Sequence, residues 1–255
     1  MKLSIVVPAF NEEARLQPML DSYVAFFAPR FGGEVELLVV VNGSTDRTEQ
    51  IATEAAGRYP QVRAFIEPRA IGKGGAILLG FQAARGERVG FVDADNSTPP
   101  EAFQALVDHL GDAGVIIASR WLPESEVSPR QPLKRRIASR VFNWLVRWMF
   151  GLRITDTQCG AKLLNGAALR EVMPRLGITR WAFDVDLLFQ LRRAGHRILE
   201  WPTVWRDAGG SRLKVGQASV EMFVAICRLR LLFSPFRWIV TLYDRTLGRV
   251  IRLKG

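Results

Sequence analysis

The 255-residue sequence contains few of the side chains from which disulfides and zinc centres are built. It has only two cysteines, Cys159 and Cys227, and only two histidines, His109 and His196. Two cysteines cannot form a disulfide framework, and so few cysteines and histidines argue against a metal centre made from them. A small disulfide-rich protein and a cysteine-built zinc domain are therefore excluded.

Long apolar runs are also lacking. No stretch of about 18 uncharged apolar residues occurs, so we expect no transmembrane helix. The chain begins directly with a strand-like run, so we expect no secretory signal peptide. With 48% apolar and 24% charged residues, the composition is that of a globular protein. The length fits one large α/β domain or two small ones.

Acidic residues are fewer than basic ones, 25 against 35, which gives a formal net charge of +10. The excess is concentrated in two segments: residues 120–150 contain 7 basic and 2 acidic side chains, and residues 201–255 contain 10 and 3. The rest of the chain is close to neutral. An anionic membrane surface is a candidate partner for the two basic segments. Nucleic acid is another, but no nucleic-acid-binding motif is present, so we expect no such partner.

Short apolar runs alternate with helical patterns along the first half of the chain. The runs predict strands at residues 2–8, 34–41, 62–66, 88–92 and 115–118. Asn11 is expected to cap the first helix, with Glu12 and Glu13 in its first turn. This alternation predicts an α/β fold with a mostly parallel sheet and helices on both faces. Ligands bind at the carboxyl ends of the strands in such sheets, so the polar residues that follow the strands should converge there.

Asp93 and Asp95 follow the fourth predicted strand on one short loop. Two carboxylates at this spacing repel each other, and a bound Mg²⁺ or Mn²⁺ relieves the repulsion while leaving positions for phosphate oxygens. Such a metal can neutralise a departing diphosphate. The alternative is an ordinary turn, because D-x-D also occurs where no metal binds.

Three further groups of polar residues suggest anion binding or catalysis. Lys73 begins a helix in the sequence IGKGG, where backbone N–H groups and an ammonium favour an anion; the alternative is a helix cap with a surface lysine. The spacing matches neither a Walker motif nor a dinucleotide fingerprint. Asp184 and Asp186 lie at the start of another predicted helix. Either could act as a base, or both could simply favour the N-terminus of the helix through their negative charge. A glycine-containing loop after residue 204 contains cations that suit a phosphate, namely Arg206, Arg212 and Lys214.

Residues 134–150 predict a helix with an apolar stripe and a separate basic stripe. The apolar stripe comprises Ile137, Val141, Trp144, Leu145 and Trp148, and the basic stripe Arg136, Arg140 and Arg147. This combination is typical of a helix at a membrane interface. The alternative is a helix that packs on the core with its basic face in water. Residues 215–233 form a second segment of this kind.

Eight motifs along the chain resemble those of family 2 inverting glycosyltransferases of the GT-A fold, in the same order. They are SIVVPAFNEE, VVNGSTDRT, IGKGGA, FVDADNSTPP, ASRW, TDTQCGAKLL, RWAFDVDLLF and GSRL. The resemblance spans residues 4–238, within the branch that transfers a sugar to polyprenyl or dolichyl phosphate. DTQCGAKL and RWAFDVDLL are most similar to dolichyl-phosphate β-glucosyltransferases.

The resemblance implies a GT-A catalytic domain at residues 1–214, in which residues 120–150 include an acceptor and membrane-interface helix, followed by basic amphipathic helices at 215–255. It implies that Asp93 and Asp95 hold Mg²⁺ or Mn²⁺. The nucleotide-sugar would contact Pro8, Ala9, Asn11, Glu12, Asn42, Lys73, Asp93, Ala94 and Asp95. The acceptor phosphate would contact Arg120, Arg135, Ser139, Arg206 and Arg212. The residues expected to take part in catalysis would be Asp93, Asp95, Asp184 and Asp186, of which the last two would lie near the transferred sugar.

Asn42 departs from the family pattern, in which an aspartate usually stands within D-D-G-S. The implied role of this position is a hydrogen bond to the base. An asparagine can still accept from a uracil N–H, although the charge is lost.

The implied reaction is direct displacement at the anomeric carbon, with inversion, by the phosphate of polyprenyl or dolichyl phosphate. The expected donor is UDP-glucose. A phosphate monoester is mostly dianionic near neutral pH, so the reaction needs no strong general base, and Asp186 is not expected to be an obligatory one. The alternatives are GDP-mannose as donor, a soluble or polysaccharide hydroxyl as acceptor, and a non-catalytic binding module. The expected location is peripheral, at the cytoplasmic face of an anionic membrane.

Overall fold

The computed structural model describes residues 1–129, 132–177, 182–206, 215–238 and 240, with only the backbone of residues 215–219. The strands are β1 (Leu3–Ala9), β2 (Val35–Asn42), β3 (Val62–Glu67), β4 (Arg88–Phe91), β5 (Val115–Ser119), β6 (Glu126–Ser128), β7 (Lys162–Asn165), β8 (Ile198–Pro202) and β9 (Val204–Arg206). The helices are α1 (Leu16–Phe31), α2 (Thr48–Arg58), α3 (Gly72–Ala83), α4 (Pro100–His109), α5 (Leu133–Phe150), α6 (Gly166–Val172), α7 (Phe183–Arg193) and α8 (Val215–Leu232).

Seven strands form the central sheet in the order β3-β2-β1-β4-β7-β5-β8. All neighbouring pairs are parallel except those of β7, which runs antiparallel to both β4 and β5. A separate parallel pair joins β6 to β9. The mostly parallel sheet predicted from the sequence is confirmed, and the antiparallel strand β7 is the difference.

Apolar side chains cover both faces of this sheet. All eight residues of β2 are buried, and successive ones belong to opposite faces, as the strand period of two requires. Leu37 and Val39 join the cluster that α1, α2 and α4 cover. Leu38 and Val40 join the cluster that α3, α5, α6, α7 and α8 cover. The helices therefore lie on both faces, as predicted.

The prediction that Asn11 caps the first helix is wrong, because α1 begins at Leu16. Asn11 adopts a left-handed backbone conformation with a φ of 54°, and its side chain bonds to another loop and not to its own helix. Its Oδ1 accepts a hydrogen bond from the Thr45 amide at 2.8 Å, and its amide donates to Ser44 Oγ at 3.1 Å. The polar residues after β1 thus connect the loops that follow β1 and β2.

Helix α5 packs on the core through a face other than its predicted apolar stripe. Phe142, Val146 and Phe150 are buried in the core cluster and Leu145 of the stripe packs against it, whereas the other four residues of the stripe face outward. Its exposed members are Ile137, Val141, Trp144 and Trp148, with exposed fractions of 53%, 52%, 62% and 75%. The helix therefore presents large apolar side chains to solvent although it is already packed on the core.

The C-terminal part of the described chain shows the same feature. Ile226 and Leu229 of α8 are buried and α8 packs beside α5, while Phe223 of α8 and Trp238 beyond it are exposed. Within the part of the chain that the structure describes, no helix combines the length and hydropathy needed to cross a membrane.

Candidate active site

The polar residues that follow β1 and β2 meet at one edge of the sheet, as the sequence predicts. The Glu12 amide donates to the Thr48 hydroxyl at 2.7 Å, and the Asn42 side chain donates through Nδ2 to the Ala9 carbonyl at 3.2 Å. Pro8 and Ala9 end β1 beside this contact. Burial raises the pKa of Glu12, against the lowering effect of Arg15.

Asn42 is almost fully buried, with an exposed fraction of 3%. Because its amide nitrogen donates to the Ala9 carbonyl, its amide oxygen is the atom that can accept an N–H from a ligand. This geometry fits the acceptor role that the sequence assigns to Asn42.

Asp93 and Asp95 lie directly beyond the carboxyl end of β4, with Lys73 beside them. Lys73 Nζ lies 2.5 Å from Asp93 Oδ1, and Asp95 Oδ1 accepts from the Ser97 amide at 2.9 Å. Burial and the neighbouring Asp93 charge raise the pKa of Asp95. Desolvation lowers the pKa of Lys73, but the Asp93 and Asp184 carboxylates outweigh it and raise the pKa overall. The loop is thus a strongly coupled charge cluster.

Gly160 allows another loop to approach this cluster closely. A Cβ atom at Gly160 would lie 2.0 Å from Asp93 Oδ2, so only glycine fits there without displacing the carboxylate. The backbone before β7 therefore forms one wall of the site.

The donor set at this loop suits a hard divalent cation. No group of three or more His, Cys, Asp or Glu side chains within the described residues is placed to hold a metal. Asp93 and Asp95 supply two carboxylates on one short loop, and burial together with the Asp93 charge raises the pKa of Asp95. Mg²⁺ commonly binds through one or two carboxylates plus water and phosphate oxygens. The residues present therefore fit Mg²⁺ or Mn²⁺ bound together with a diphosphate.

Lys162 is a fully buried lysine that the sequence interpretation did not assign to the site. Its Nζ lies 2.5 Å from Asp184 Oδ1 and 2.7 Å from the Cys159 carbonyl, and 5.1 Å from the centre of the Phe91 ring. Because β7 is antiparallel, its first residue, Lys162, pairs with Phe91 at the end of β4, two residues before Asp93. The antiparallel strand thus brings a buried cation to the edge where the parallel strands end.

Asp184 and Asp186 are both buried in the first turn of α7. Asp184 is paired with Lys162 and contributes to the charge field at Lys73. Asp186 accepts from the Gly177 amide at 3.2 Å and from the Gln190 side chain at 3.4 Å. Asp184 therefore belongs to the charge cluster around Lys73, whereas Asp186 accepts hydrogen bonds from Gly177 and Gln190.

Arg120 lines a cleft of about 490 Å³ next to the β6–β9 pair. The guanidinium is bound bidentately by Asp156, with Nε and Nη2 at 2.7 and 2.9 Å from its two oxygens. Burial disfavours the Asp156 charge, but Arg120 holds the pKa of Asp156 below its ordinary value. The cleft is lined by Arg120, Trp121, Ser125, Glu126, Val127, Ser128, Arg136 and Arg140.

The other predicted acceptor residues are only partly brought to this cleft. Arg206 ends β9 and pairs in register with Ser128 in its wall. Arg135 and Ser139 are half-buried on α5, but the α5 side chains in the cleft lining are those of Arg136 and Arg140. Arg212 and Lys214 lie outside the described residues.

The sequence interpretation missed Asp156 and Lys162 as site residues, although both lie in the quoted motif TDTQCGAKLL. A lysine within an apolar run is a signal of a buried, paired charge, since an unpaired one is too costly to bury. Cys159, the cysteine of the same motif, is fully buried, and burial raises the pKa of its thiol to about 11.

Comparison with known proteins identifies relatives over most of the chain. The family described as "Glycosyl transferase family 2" matches residues 4–172. A dolichyl-phosphate beta-glucosyltransferase of Drosophila melanogaster is 36% identical over 229 residues, which cover 84% of this chain and 69% of that protein. One of Trichomonas vaginalis is 32% identical over 248 residues, 93% of this chain and 73% of that protein.

A solved structure of similar fold supports the GT-A architecture. Glucosyl-3-phosphoglycerate synthase from Mycobacterium tuberculosis, in complex with Mn²⁺, uridine diphosphate and glucosyl-3-phosphoglycerate, matches with a TM-score of 0.66. The match covers 91% of this chain and 78% of that one at 22% sequence identity. At this identity the likeness concerns the fold.

Proposed function

The chain belongs to glycosyl transferase family 2, and on that premise we propose that it transfers glucose from UDP-glucose to the phosphate of a polyprenyl or dolichyl phosphate. The observation that carries the proposal is the pairing of two sites on one sheet edge. One is the Asp93–Asp95 carboxylate pair beyond β4, and the other is the arginine-lined cleft beyond β5. The first suits a diphosphate with its metal, and the second suits a phosphate.

The donor assignment is supported by Asn42 and by the relatives. The Asn42 oxygen can accept the N–H of a uracil ring. The similar proteins of Drosophila melanogaster and Trichomonas vaginalis carry the name dolichyl-phosphate beta-glucosyltransferase. Asp93 and Asp95 would hold Mg²⁺ or Mn²⁺, and the metal, when bound, supplies positive charge to the leaving diphosphate. Lys73 beside Asp93 adds a second positive group to the same region.

The acceptor assignment is supported by the charge of the cleft. Arg120, Arg136 and Arg140 line it, and Glu126 is the one acidic residue among the described residues that line it. Guanidinium groups bind phosphate through paired hydrogen bonds. A phosphate monoester is mostly dianionic at neutral pH, so positioning and charge compensation suffice to make it a nucleophile. The partnered, buried Asp186 agrees with a reaction that needs no general base.

The exposed apolar side chains of α5 support the proposal that the protein acts at a membrane surface. The helix that supplies Arg136 and Arg140 to the cleft also presents Ile137, Trp144 and Trp148 to solvent. Aromatic side chains beside cations are typical of helices that lie in a membrane interface. A lipid acceptor would then reach the cleft from the surface on which α5 rests. We propose that the chain is a peripheral protein of this kind.

A transfer assay tests the proposed function. Purified protein with Mg²⁺ or Mn²⁺ and a polyprenyl phosphate receives UDP-glucose or GDP-mannose in parallel, and the lipid products are quantified. We expect a glycolipid from UDP-glucose and none from the matching polyprenol, which lacks the phosphate. Product from GDP-mannose alone would replace the donor assignment. Transfer to a soluble hydroxyl acceptor alone would replace the acceptor assignment.

Replacing Arg136 and Arg140 together by alanine is expected to raise the KM for lipid phosphate at least about tenfold, because two charge-assisted contacts are removed. The KM for UDP-glucose should change less than twofold. Steady-state kinetics with each substrate varied in turn measure both. Arg58→Ala on the distant α2 is the matched control. Unchanged acceptor kinetics in the double variant would contradict the assignment of the cleft.

Replacing Trp144 and Trp148 together by glutamate is expected to release the protein from anionic vesicles, because two exposed aromatic side chains become acidic. Flotation with phosphatidylserine-containing vesicles measures the bound fraction. Ile66→Glu, at an exposed apolar position on the edge strand β3, is the control and should float as the wild type does. Equal flotation of the double variant would contradict the membrane role of α5.

A further inference from the structure

The loop at residues 155–157 connects two walls of the arginine-lined cleft. Asp156 binds the backbone amide of Arg120 at 3.0 Å in addition to its guanidinium. The Thr157 amide and hydroxyl donate to Asn143 of α5 at 2.9 and 2.8 Å. The loop therefore links the turn after β5 to the helix that supplies Arg136 and Arg140.

Glu200 of β8 accepts several hydrogen bonds from this loop. The Thr155 amide donates to both Glu200 carboxylate oxygens, at 2.8 and 2.9 Å, and the Asp156 amide donates to one of them at 3.2 Å. The Thr155 hydroxyl bonds to Glu200 and to Ser119 as well. With so many hydrogen bonds to one carboxylate, the loop backbone has little freedom to move.

The Arg120 guanidinium is consequently held on two sides. Asp156, which is fully buried, takes Nε and Nη2, and the Trp205 ring lies 4.9 Å from the guanidinium carbon. Among the described residues, none accepts a hydrogen bond from Nη1. A cation that is fixed before its ligand arrives loses little conformational freedom on binding.

We propose that Asp156 is a positioning residue for the acceptor: it fixes Arg120 through Nε and Nη2 and thereby leaves Nη1 for the acceptor phosphate in the cleft. This inference rests on the proposed function, because it needs a phosphate in the cleft. Glu200 and Asn143 complete the arrangement by fixing the loop that carries Asp156.

The test compares Asp156→Asn with wild type in two binding measurements and one kinetic one. Calorimetry gives the affinity for farnesyl phosphate, a soluble phosphate monoester with an isoprenoid tail, and separately for UDP with Mg²⁺. Kinetics give the KM of each substrate. We expect at least about a tenfold loss in farnesyl phosphate affinity and a matching rise in acceptor KM, because the partner that orients Arg120 is lost. UDP affinity and donor KM should stay within twofold.

Two further variants separate positioning from folding. Arg120→Lys keeps a positive partner for Asp156 but loses the planar guanidinium, whose N–H donors point to the carboxylate and to a phosphate in fixed directions, so it should show an acceptor-specific loss. Asp112→Asn, which removes the exposed Arg197–Asp112 pair of 2.7 Å, is the matched control and should behave as wild type. If Asp156→Asn does not fold, Asp156→Glu, which keeps the carboxylate but displaces it by one methylene group, decides the question by the same criteria.

The outcomes distinguish this inference from the proposed function. Suppose that the wild type transfers glucose to lipid phosphate. The positioning role alone would then be overturned if Asp156→Asn lost affinity for donor and acceptor equally, or kept its affinity for the acceptor. A wild type that binds UDP with Mg²⁺ but neither binds farnesyl phosphate nor glycosylates a polyprenyl phosphate would overturn both.

Discussion

Asp95→Asn is expected to lower the glucosyl transfer rate by at least about 10³-fold while leaving the fold intact. The change keeps the side-chain size but removes one of the two carboxylates at the end of β4. Asp95 is half-exposed and bonds to its own loop at the Ser97 amide, so the core is not involved. The loss should therefore appear in turnover and in metal binding and not in stability.

The measurement is single-turnover transfer in a titration of Mn²⁺, together with direct Mn²⁺ binding in the presence of UDP. The wild type should lose its activity on chelation and regain it when metal returns. Asp112→Asn, the same change at an exposed aspartate that pairs with Arg197, is the matched control. An Asp95→Asn variant with wild-type turnover would refute the assignment of this loop as the metal and diphosphate site.

Lys162→Met is expected to destabilise the protein by about 3–5 kcal/mol, because it leaves the buried Asp184 carboxylate without its ion-pair partner. Methionine keeps the length of the side chain, so the loss reflects charge and not a cavity. Lys2→Met in the exposed Lys2–Glu34 pair should change the melting temperature little. Urea unfolding followed by far-UV circular dichroism measures both variants.

The double variant Lys162→Met with Asp184→Leu should recover most of the lost stability, since replacing both members of a buried pair by apolar groups is close to neutral. It should still transfer glucose poorly if Asp184 acts on the donor, because Asp184 belongs to the charge cluster around Lys73. A double variant that recovers both stability and turnover would show that the pair is structural only. A single variant as stable as the wild type would contradict the buried ion pair itself.

The parallel part of the sheet follows from the sequence because each strand is a short apolar run between helical patterns. Strand β7 does not follow from this pattern. It has only four residues and begins with a lysine, Lys162, and its insertion between β4 and β5 depends on pairing with strands that are distant in the chain. Local patterns do not contain that information.

The convergence of the residues proposed for the donor could be predicted, since Asn42 ends β2, Asp93 and Asp95 follow β4, and the carboxyl ends of these parallel strands lie at one edge of the sheet. The networks that hold the site could not. Asp156 and its partner Arg120 are 36 positions apart, and Asp184 and its partner Lys162 are 22 apart, so the pairing arises only from the folded chain.

The sequence also could not show which face of α5 contacts the core. A helical stripe of apolar residues is normally the core-facing one, and the sequence could not decide between core and membrane. The structure assigns the core contact to Phe142, Val146 and Phe150 and leaves Trp144 and Trp148 exposed. The two apolar surfaces of one helix are separable only when its neighbours are known.

The chemical structure of the product formed from UDP-α-glucose and a polyprenyl phosphate decides whether the chain is the glucosyltransferase proposed above. Mass spectrometry gives the composition, and proton and phosphorus NMR give the anomeric configuration and the linkage. We expect a polyprenyl monophosphate with a single β-linked glucose. An α-linked product, a diphosphate-linked product or the absence of any lipid product from an enzyme that still binds UDP with metal would contradict it.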